Sequence, residues 1–331
     1  MIYSALSPHD APICRAVPAC PWCGTAGAVL YAGLCDRLYD VPGTWSLRRC
    51  VRDGCGLAWL DPSPLATEIP KLYVRYFTHD RPNSGAAGRD VASFVQRFSR
   101  PLFAPTSVGR GRRQLDVMRL AGRPCGRVLD VGCGSGDRLL ALGRIGWDAV
   151  GQDIDPAAAA AARETTGRPV IEGPLADAGI PDASFDAVVL NHVIEHVCDP
   201  VALLAECRRV LRPSGVLVAV TPNLDSAGHR RFGRDWLGLD PPRHLYVFSP
   251  RTLSNLAVRA GFRDSRVGTS AARAEFIAAG SWDLRWRGRH EVSGGRRPGR
   301  DLAAVWVQIA AAFRYRQDPS SGDECVLEST L

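Results

Sequence analysis

Read for hydrophobic and polar positions, the chain changes character at about residue 125. From there, short apolar runs alternate with stretches of helical period. The runs at 127–131, 149–152, 169–172, 185–190 and 215–221 are largely unbroken, as in strands covered on both faces. Between them, 138–144, 156–165 and 201–211 place apolar residues on one helical face. Asp199 stands where it would cap the last of these, with Pro200 opening it and Pro213, Ser214 and Gly215 closing it. Such alternation predicts a parallel sheet covered by helices. Further strands are expected at 264–268 and 324–329. A helix is expected at 251–260, opened by Ser249 and Pro250 and closed by Gly261.

The earlier residues read differently. Helical patterns at 65–77, 91–98 and 114–120 are interrupted by a loose stretch at 81–88, and residues 1–62 are rich in Cys, Gly, Pro and Trp with little helical period. The expected organisation is a small N-terminal unit over 1–62, a helical linker or cap over 63–124 and a main domain over 125–331. The segment at about 270–316 reads as an insertion.

Composition narrows the class. A length of 331 residues allows about two domains. The net charge of +7 is compatible with an anionic partner, but Lys71 is the single lysine, which points to a compositional bias rather than a built basic patch. The first 20 residues lack the apolar segment of a secretory signal, and the 11 cysteines are an odd number. A cytoplasmic protein without a disulfide framework is expected. No run of 18 apolar residues is present, so no transmembrane segment is expected.

The chemistry starts at 128–136. Val128, Leu129, Asp130 and Val131 form a strand that runs directly into Gly132-Cys133-Gly134-Ser135-Gly136. Glycines let the backbone turn sharply and come close to a ligand. Asp153 lies 21 residues after Gly132, where an acidic residue meets ribose hydroxyls in nucleotide-cofactor folds. A dinucleotide site would need glycine at 137, but Asp137 stands there, a poor neighbour for a pyrophosphate. The spacing suits S-adenosylmethionine (SAM), which carries no phosphate.

Along 128–142, 150–163, 181–200 and 208–223 the sequence resembles the class I SAM-dependent methyltransferases. That resemblance implies an α/β fold with a Rossmann-like, seven-stranded, doubly wound sheet. It implies that Asp130, Gly132, Gly134 and Gly136 hold the methionine part of SAM, that Asp153 binds the ribose, and that Ile154 and Leu175 border the adenine. Asn191 and His192 would face the transferred methyl.

Two histidine and cysteine patterns need separate readings. His192-Val193-Ile194-Glu195-His196 spells an inverted zinc-protease motif. Its place directly after a strand argues against a metal there, and Glu195 and His196 are expected to be a structural or substrate-lining pair. Cys20-Pro21-Trp22-Cys23 and Cys50 through Cys55 form two close pairs, each followed by glycine. Two such knuckles can present four thiolates to a structural zinc ion. The four residues between Cys50 and Cys55, where two are usual, depart from the pattern. The N-terminal stretch as a whole resembles a zinc-ribbon extension found on one group of these methyltransferases.

The loop after the fifth strand, through Pro241-Pro242-Arg243-His244, should overhang the cofactor. His244 is the first candidate base and His192 the second, since a histidine near neutral pH can take an acceptor's proton. Arg243 is the candidate anchor for an anionic group on the substrate. In 270–316, Trp282, Trp286 and Trp306 stand among many arginines. The favoured reading is a helix packed on the sheet with a solvated basic face; the alternative is an interfacial segment touching a lipid-linked substrate at a membrane surface. The expected function is methyl transfer to a small-molecule or glycan acceptor, at an oxygen. An RNA methyltransferase using the ribbon to read nucleic acid, and a non-catalytic SAM-binding partner protein, are the alternatives. Nothing in the sequence sets the oligomeric state.

Overall fold

The computed structural model describes residues 11–73, 103–291 and 297–331. The patterns at 81–88 and 91–98, and the end of 65–77, lie outside the described residues. Five short strands come first: β1 (Cys14–Arg15), β2 (Gly27–Leu34), β3 (Trp45–Cys50), β4 (Ala58–Asp61) and β5 (Ser63–Pro64). The described part of 65–77 is a 3-10 helix, Ala66–Tyr73; Pro70 inside it removes an amide that an α-helix would use. Helix α1 (Ser107–Asp116) starts and ends earlier than the pattern at 114–120 suggests. Thr106 caps its first turn, and Met118 and Arg119, both at positive φ, turn the chain away after it. Val117 and the buried Met118 and Leu120 are apolar because that turn lies against the core.

The main sheet follows: β6 (Arg127–Val131), α2 (Asp137–Arg144), β7 (Asp148–Asp153), α3 (Pro156–Thr166), β8 (Val170–Glu172), β9 (Phe185–Asn191), α4 (Pro200–Val210) and β10 (Leu211–Pro222). Beyond it come α5 (Ala227–Phe232), β11 (Tyr246–Val247), α6 (Pro250–Arg259), β12 (Asp264–Ser270), α7 (Ala274–Arg287), α8 (Pro298–Gln317) and β13 (Glu324–Thr330). The seven-stranded sheet has the order β12-β13-β10-β9-β6-β7-β8, with β13 antiparallel to both its neighbours and the last five strands mutually parallel. The expected α/β class holds, and the run of apolar strands reflects burial on both faces: Val128, Leu129, Ala187 to Leu190 and Leu217 to Val220 are all fully enclosed. Pro213 to Gly215, expected as a helix stop, form a bulge inside β10 between the pairings Leu211–Phe185 and Val216–Ala187.

The chain runs outward in one direction through β6, β7 and β8, then returns to the other side of β6 through β9 and β10. The carboxyl ends of β6 and β9 therefore flank a switch point, where open α/β sheets bind ligands.

The N-terminal strands form their own sheet, in the order β11-β4-β3-β2. Its fourth strand comes from the loop after β10: Tyr246 pairs with Trp59 and Val247 with Ala58. Cys20, Cys50, Cys55, Leu57 and Trp59 share one core with Phe248, Leu253 and Leu256. The segment at 270–316 touches the edge of the main sheet, where the Tyr315 hydroxyl donates to the Thr269 carbonyl of β12. α7 sets Ala278, Ala279 and Trp282 against Leu224, Phe232, Trp236 and Leu239, on the elements that follow β10. No helix among the described residues is long and apolar enough to cross a membrane.

Candidate functional site

The glycine loop leaves the end of β6 with Gly132, Gly134 and Gly136 at φ 66°, 53° and 80°. Those backbone conformations strain any residue with a Cβ. Space distinguishes the three. A Cβ at Gly132 would lie 2.6 Å from Val193 Cγ2 and one at Gly136 2.6 Å from Thr166 Cγ2, whereas one at Gly134 would meet open space. The loop is thus packed from behind and open at its middle, a cradle rather than a filled turn.

Two carboxyls line it. Asp153 ends β7; its Oδ2 accepts the Gly134 amide at 2.8 Å and its Oδ1 the Asp155 amide at 2.9 Å. Each oxygen keeps a second lone pair for a ribose hydroxyl. Ile154, beside it, is 59% exposed, an apolar side chain left open where an adenine would lie, while Leu175 is buried behind. Asp130 is buried and its Oδ2 has no hydrogen-bond partner. Burial pushes its carboxyl up to about 7; Arg138 opposes that shift and the charge of Asp153 adds to it. Asn191 also carries a buried side-chain oxygen without a partner. Buried polar atoms are normally satisfied, so two orphan oxygens around one open cradle suit a polar ligand with donors of its own. The residues present fit SAM, whose ammonium and ribose hydroxyls are such donors.

At the far side of the cradle the chain turns sharply. His192 sits at φ 55°, in the left-handed region, with its amide donated to the Val220 carbonyl. The inverted zinc-protease pattern therefore never forms a helix, and His192 and His196 do not share a face. His192 Nδ1 meets Glu195 Oε1 at 3.2 Å and its Nε2 meets Glu324 Oε1 at 3.0 Å. Carboxylates only accept, so both ring nitrogens carry protons. Burial alone would lower this histidine, but the hydrogen bonds and charges of Glu195 and Glu324 outweigh it and bring it to about 9. His192 is an imidazolium at neutral pH, and the expectation that it serves as a base is corrected: it has no free lone pair.

Glu195 is closed to solvent. Burial raises it, His192 outweighs that, and the carboxyl rests at about 2. Its Oε2 accepts the Thr221 hydroxyl at 2.9 Å. Its backbone carbonyl takes the amides of Leu245 at 2.9 Å and Tyr246 at 3.2 Å, tying this turn to the loop that carries His244. His196 lies against His244, ring centroids 4.7 Å apart. His196 Nδ1 is 3.1 Å from the Arg243 carbonyl and 3.0 Å from the Tyr73 hydroxyl. Burial and the neighbouring His244 lower His196 to about 4, so it is neutral. His244 Nδ1 is 2.9 Å from the Gly238 carbonyl, and its Nε2 is 4.0 Å from Asp240 Oδ2.

Arg243, expected to anchor a substrate anion, is 0% exposed. Its guanidinium grips Asp36 at 2.7 and 2.9 Å, also bonds Asp240, and lies over the Tyr39 ring. That expectation is corrected: Arg243 joins the N-terminal sheet to the His244 loop and cannot reach a substrate. Asp36 and Glu324, which fix Arg243 and His192, escaped sequence reading. They stand 207 and 132 residues away from their partners, with no motif to mark them.

The four cysteines of the two knuckles converge. Cys20 Sγ lies 3.6 Å from Cys55 Sγ and Cys23 Sγ 3.5 Å from Cys50 Sγ, and all four sulfurs lie within 4.8 Å of one another. Tetrahedral zinc with Zn–S of about 2.3 Å spaces its sulfurs about 3.8 Å apart. The residues fit that ion despite the longer second knuckle.

Residues 77–266, more than half of the chain, match the family model described as a methyltransferase domain. A probable S-adenosylmethionine-dependent methyltransferase of Mycolicibacterium smegmatis is 42% identical over 153 residues, covering 46% of this chain and 58% of that protein. A ubiquinone biosynthesis O-methyltransferase of Cereibacter sphaeroides is 35% identical over 149 residues, covering 41% of this chain and 59% of that protein. The chain thus spans less than two thirds of the length of these curated relatives. Among solved structures, a SAM-dependent methyltransferase from Archaeoglobus fulgidus aligns at 20% identity and TM-score 0.45, over 72% of this chain and 98% of that one. On the family match over 77–266, this chain belongs to the methyltransferase-domain family.

Proposed function

We propose that the protein transfers a methyl group from SAM to an oxygen of a small-molecule or glycan acceptor. The observation that carries this reading is the open cradle at Gly134, bordered by Asp153 and by the orphan oxygens of Asp130 and Asn191. Asp153 holds the ribose, Ile154 and Leu175 the adenine, and the loop from Gly132 to Gly136 with Asp130 the methionine part. The cofactor supplies a methyl on an activated sulfonium, so the protein's contribution is mainly placement of the acceptor. His244 is the group for the acceptor's proton: Nδ1 is spent as a donor to the Gly238 carbonyl, which leaves the lone pair on Nε2. The O-methyltransferase among the relatives supports an oxygen target. The four thiolates of Cys20, Cys23, Cys50 and Cys55 hold a structural zinc.

Calorimetry with S-adenosylhomocysteine tests the cofactor site. Asp153→Ala removes two charge-assisted hydrogen bonds and leaves the Gly134 amide without its acceptor. At about 1.5 kcal/mol each, affinity falls about 100-fold. Equal affinity in the variant would refute this placement of the ribose. Screening hydroxylated acceptors with labelled SAM then reads the acceptor class.

A further inference from the structure

Beside the cradle, His244 belongs to a cluster whose other members, Glu195 and His196, have no part in the transfer described above. Ligand atoms of Glu195, His196 and His244 lie within 4.8 Å of one another. Each is held by other groups. The Nδ1 of His196 faces the Arg243 carbonyl and that of His244 faces the Gly238 carbonyl. A carbonyl oxygen only accepts, so both Nδ1 atoms are protonated and both Nε2 atoms keep their lone pairs. Metal-binding histidines are oriented in this way, by a hydrogen bond from the other ring nitrogen. Thr221 and His192 donate to the two oxygens of Glu195, which fixes that carboxylate as an anion. The Glu195 carbonyl then takes the Leu245 and Tyr246 amides and locks the two ligand-bearing segments together.

We propose that Glu195, His196 and His244 bind a divalent first-row transition metal ion, distinct from the zinc of the cysteine site. Two imidazoles and one carboxylate on one side of an ion leave further positions open, a donor set that suits iron, manganese, cobalt or zinc. Thr221 follows Val220, the partner of Asn191, one residue before the end of β10, so the ion stands at the carboxyl ends of β9 and β10, beside the cofactor cradle. An acceptor hydroxyl reaching an open position there is acidified by the ion. With the ion bound, the His244 Nε2 lone pair would be a ligand, so the ion would replace His244 in the base role given above and the acceptor's proton would pass to solvent. This deepens the oxygen-acceptor reading given above and rests on it for the ion's use, though not for its binding. It also revises the expectation that Glu195 and His196 have no metal role: the partner is His244, 48 residues on, rather than His192.

Mn2+ is the probe, because thiolates favour softer ions and leave it to nitrogen and oxygen ligands. The full-length, zinc-loaded protein is titrated with Mn2+ and free ion is read by electron paramagnetic resonance. The wild type is expected to take up one equivalent, with affinity at least about 10-fold lower in His244→Asn and in Glu195→Gln. Calorimetry with S-adenosylhomocysteine on the same variants checks the fold, and affinity there is expected to stay within a few-fold of wild type. Wild type that binds no Mn2+, or folded variants that bind it equally, overturn the metal site and leave the methyltransferase reading standing. Wild type that binds Mn2+ but no S-adenosylhomocysteine supports the metal site and strikes the cofactor reading instead.

Discussion

Replacing Arg243 by methionine is expected to cost about 3–5 kcal/mol of folding free energy, the scale for breaking a buried ion pair on one side. In a domain of this size that lowers Tm by roughly 10 °C. The cost comes from what the guanidinium leaves behind. Asp36 and Asp240 both face it, and without it two carboxylates share one site, Asp36 fully buried and Asp240 only 11% exposed. Asp36 cannot swing out to solvent, since its oxygens also accept the amides of Leu38, Tyr39 and Val41. Methionine keeps some of the volume and packing against Tyr39, so the loss reads the charge. Thermal unfolding measures it, and S-adenosylhomocysteine affinity in the folded fraction should hold. A variant that melts like wild type but loses methyl transfer would return Arg243 to the substrate side, against the burial seen here.

Arg243 also shows where sequence reasoning runs out. The glycine loop, Asp153 and the five parallel strands were legible because each signal is contiguous: a strand, a turn and a helix lie within about 25 residues and report the same fold. Arg243 and His244 are adjacent in sequence, which predicts a pair facing the substrate. In the structure, Arg243 turns to an acid 207 residues earlier, and only His244 turns toward Glu195 and His196. His192 departs from the expected base for a related reason. A histidine's basicity depends on what holds it, and Glu324 arrives from the last strand. β11 was invisible because two residues carry no period; they become a strand only by pairing with β4. The convergence of the cysteine knuckles is legible despite their irregular spacing, since two close pairs, each followed by glycine, are how knuckles present four sulfurs to one point.

Removing the zinc is expected to have the other large effect, and to reach beyond the ribbon. Apparent zinc-binding energies in small domains are about 10–16 kcal/mol, comparable with the whole stability of a folded domain of about 5–15 kcal/mol. Cys20→Ser, or chelation of the wild type, should therefore release the knuckles rather than loosen them. Without a metal, burial pushes the Cys20 thiol well above its usual range, whereas hydrogen bonds with Thr25 lower Cys23 to about 6. The strands that follow the knuckles cannot stay unaffected. Cys50 ends β3, β3 pairs with β4, and β4 holds β11, which leads directly back to His244. Trp22, between Cys20 and Cys23, also lies against Phe248, ring centroids 6.4 Å apart. The glycine loop is on another sheet, anchored by β6, β7 and β9. The expected result is graded: zinc content falls from one equivalent to none, and limited proteolysis cuts within 11–64. Mn2+ uptake at the His244 cluster weakens, while S-adenosylhomocysteine still binds. If the zinc-free protein resists protease as the wild type does, the four cysteines are a buried thiol cluster and the ribbon stands on its apolar core alone. If cofactor binding is lost together with the ribbon, the two sheets unfold as one unit and the link through β11 is stronger than one two-residue strand would suggest.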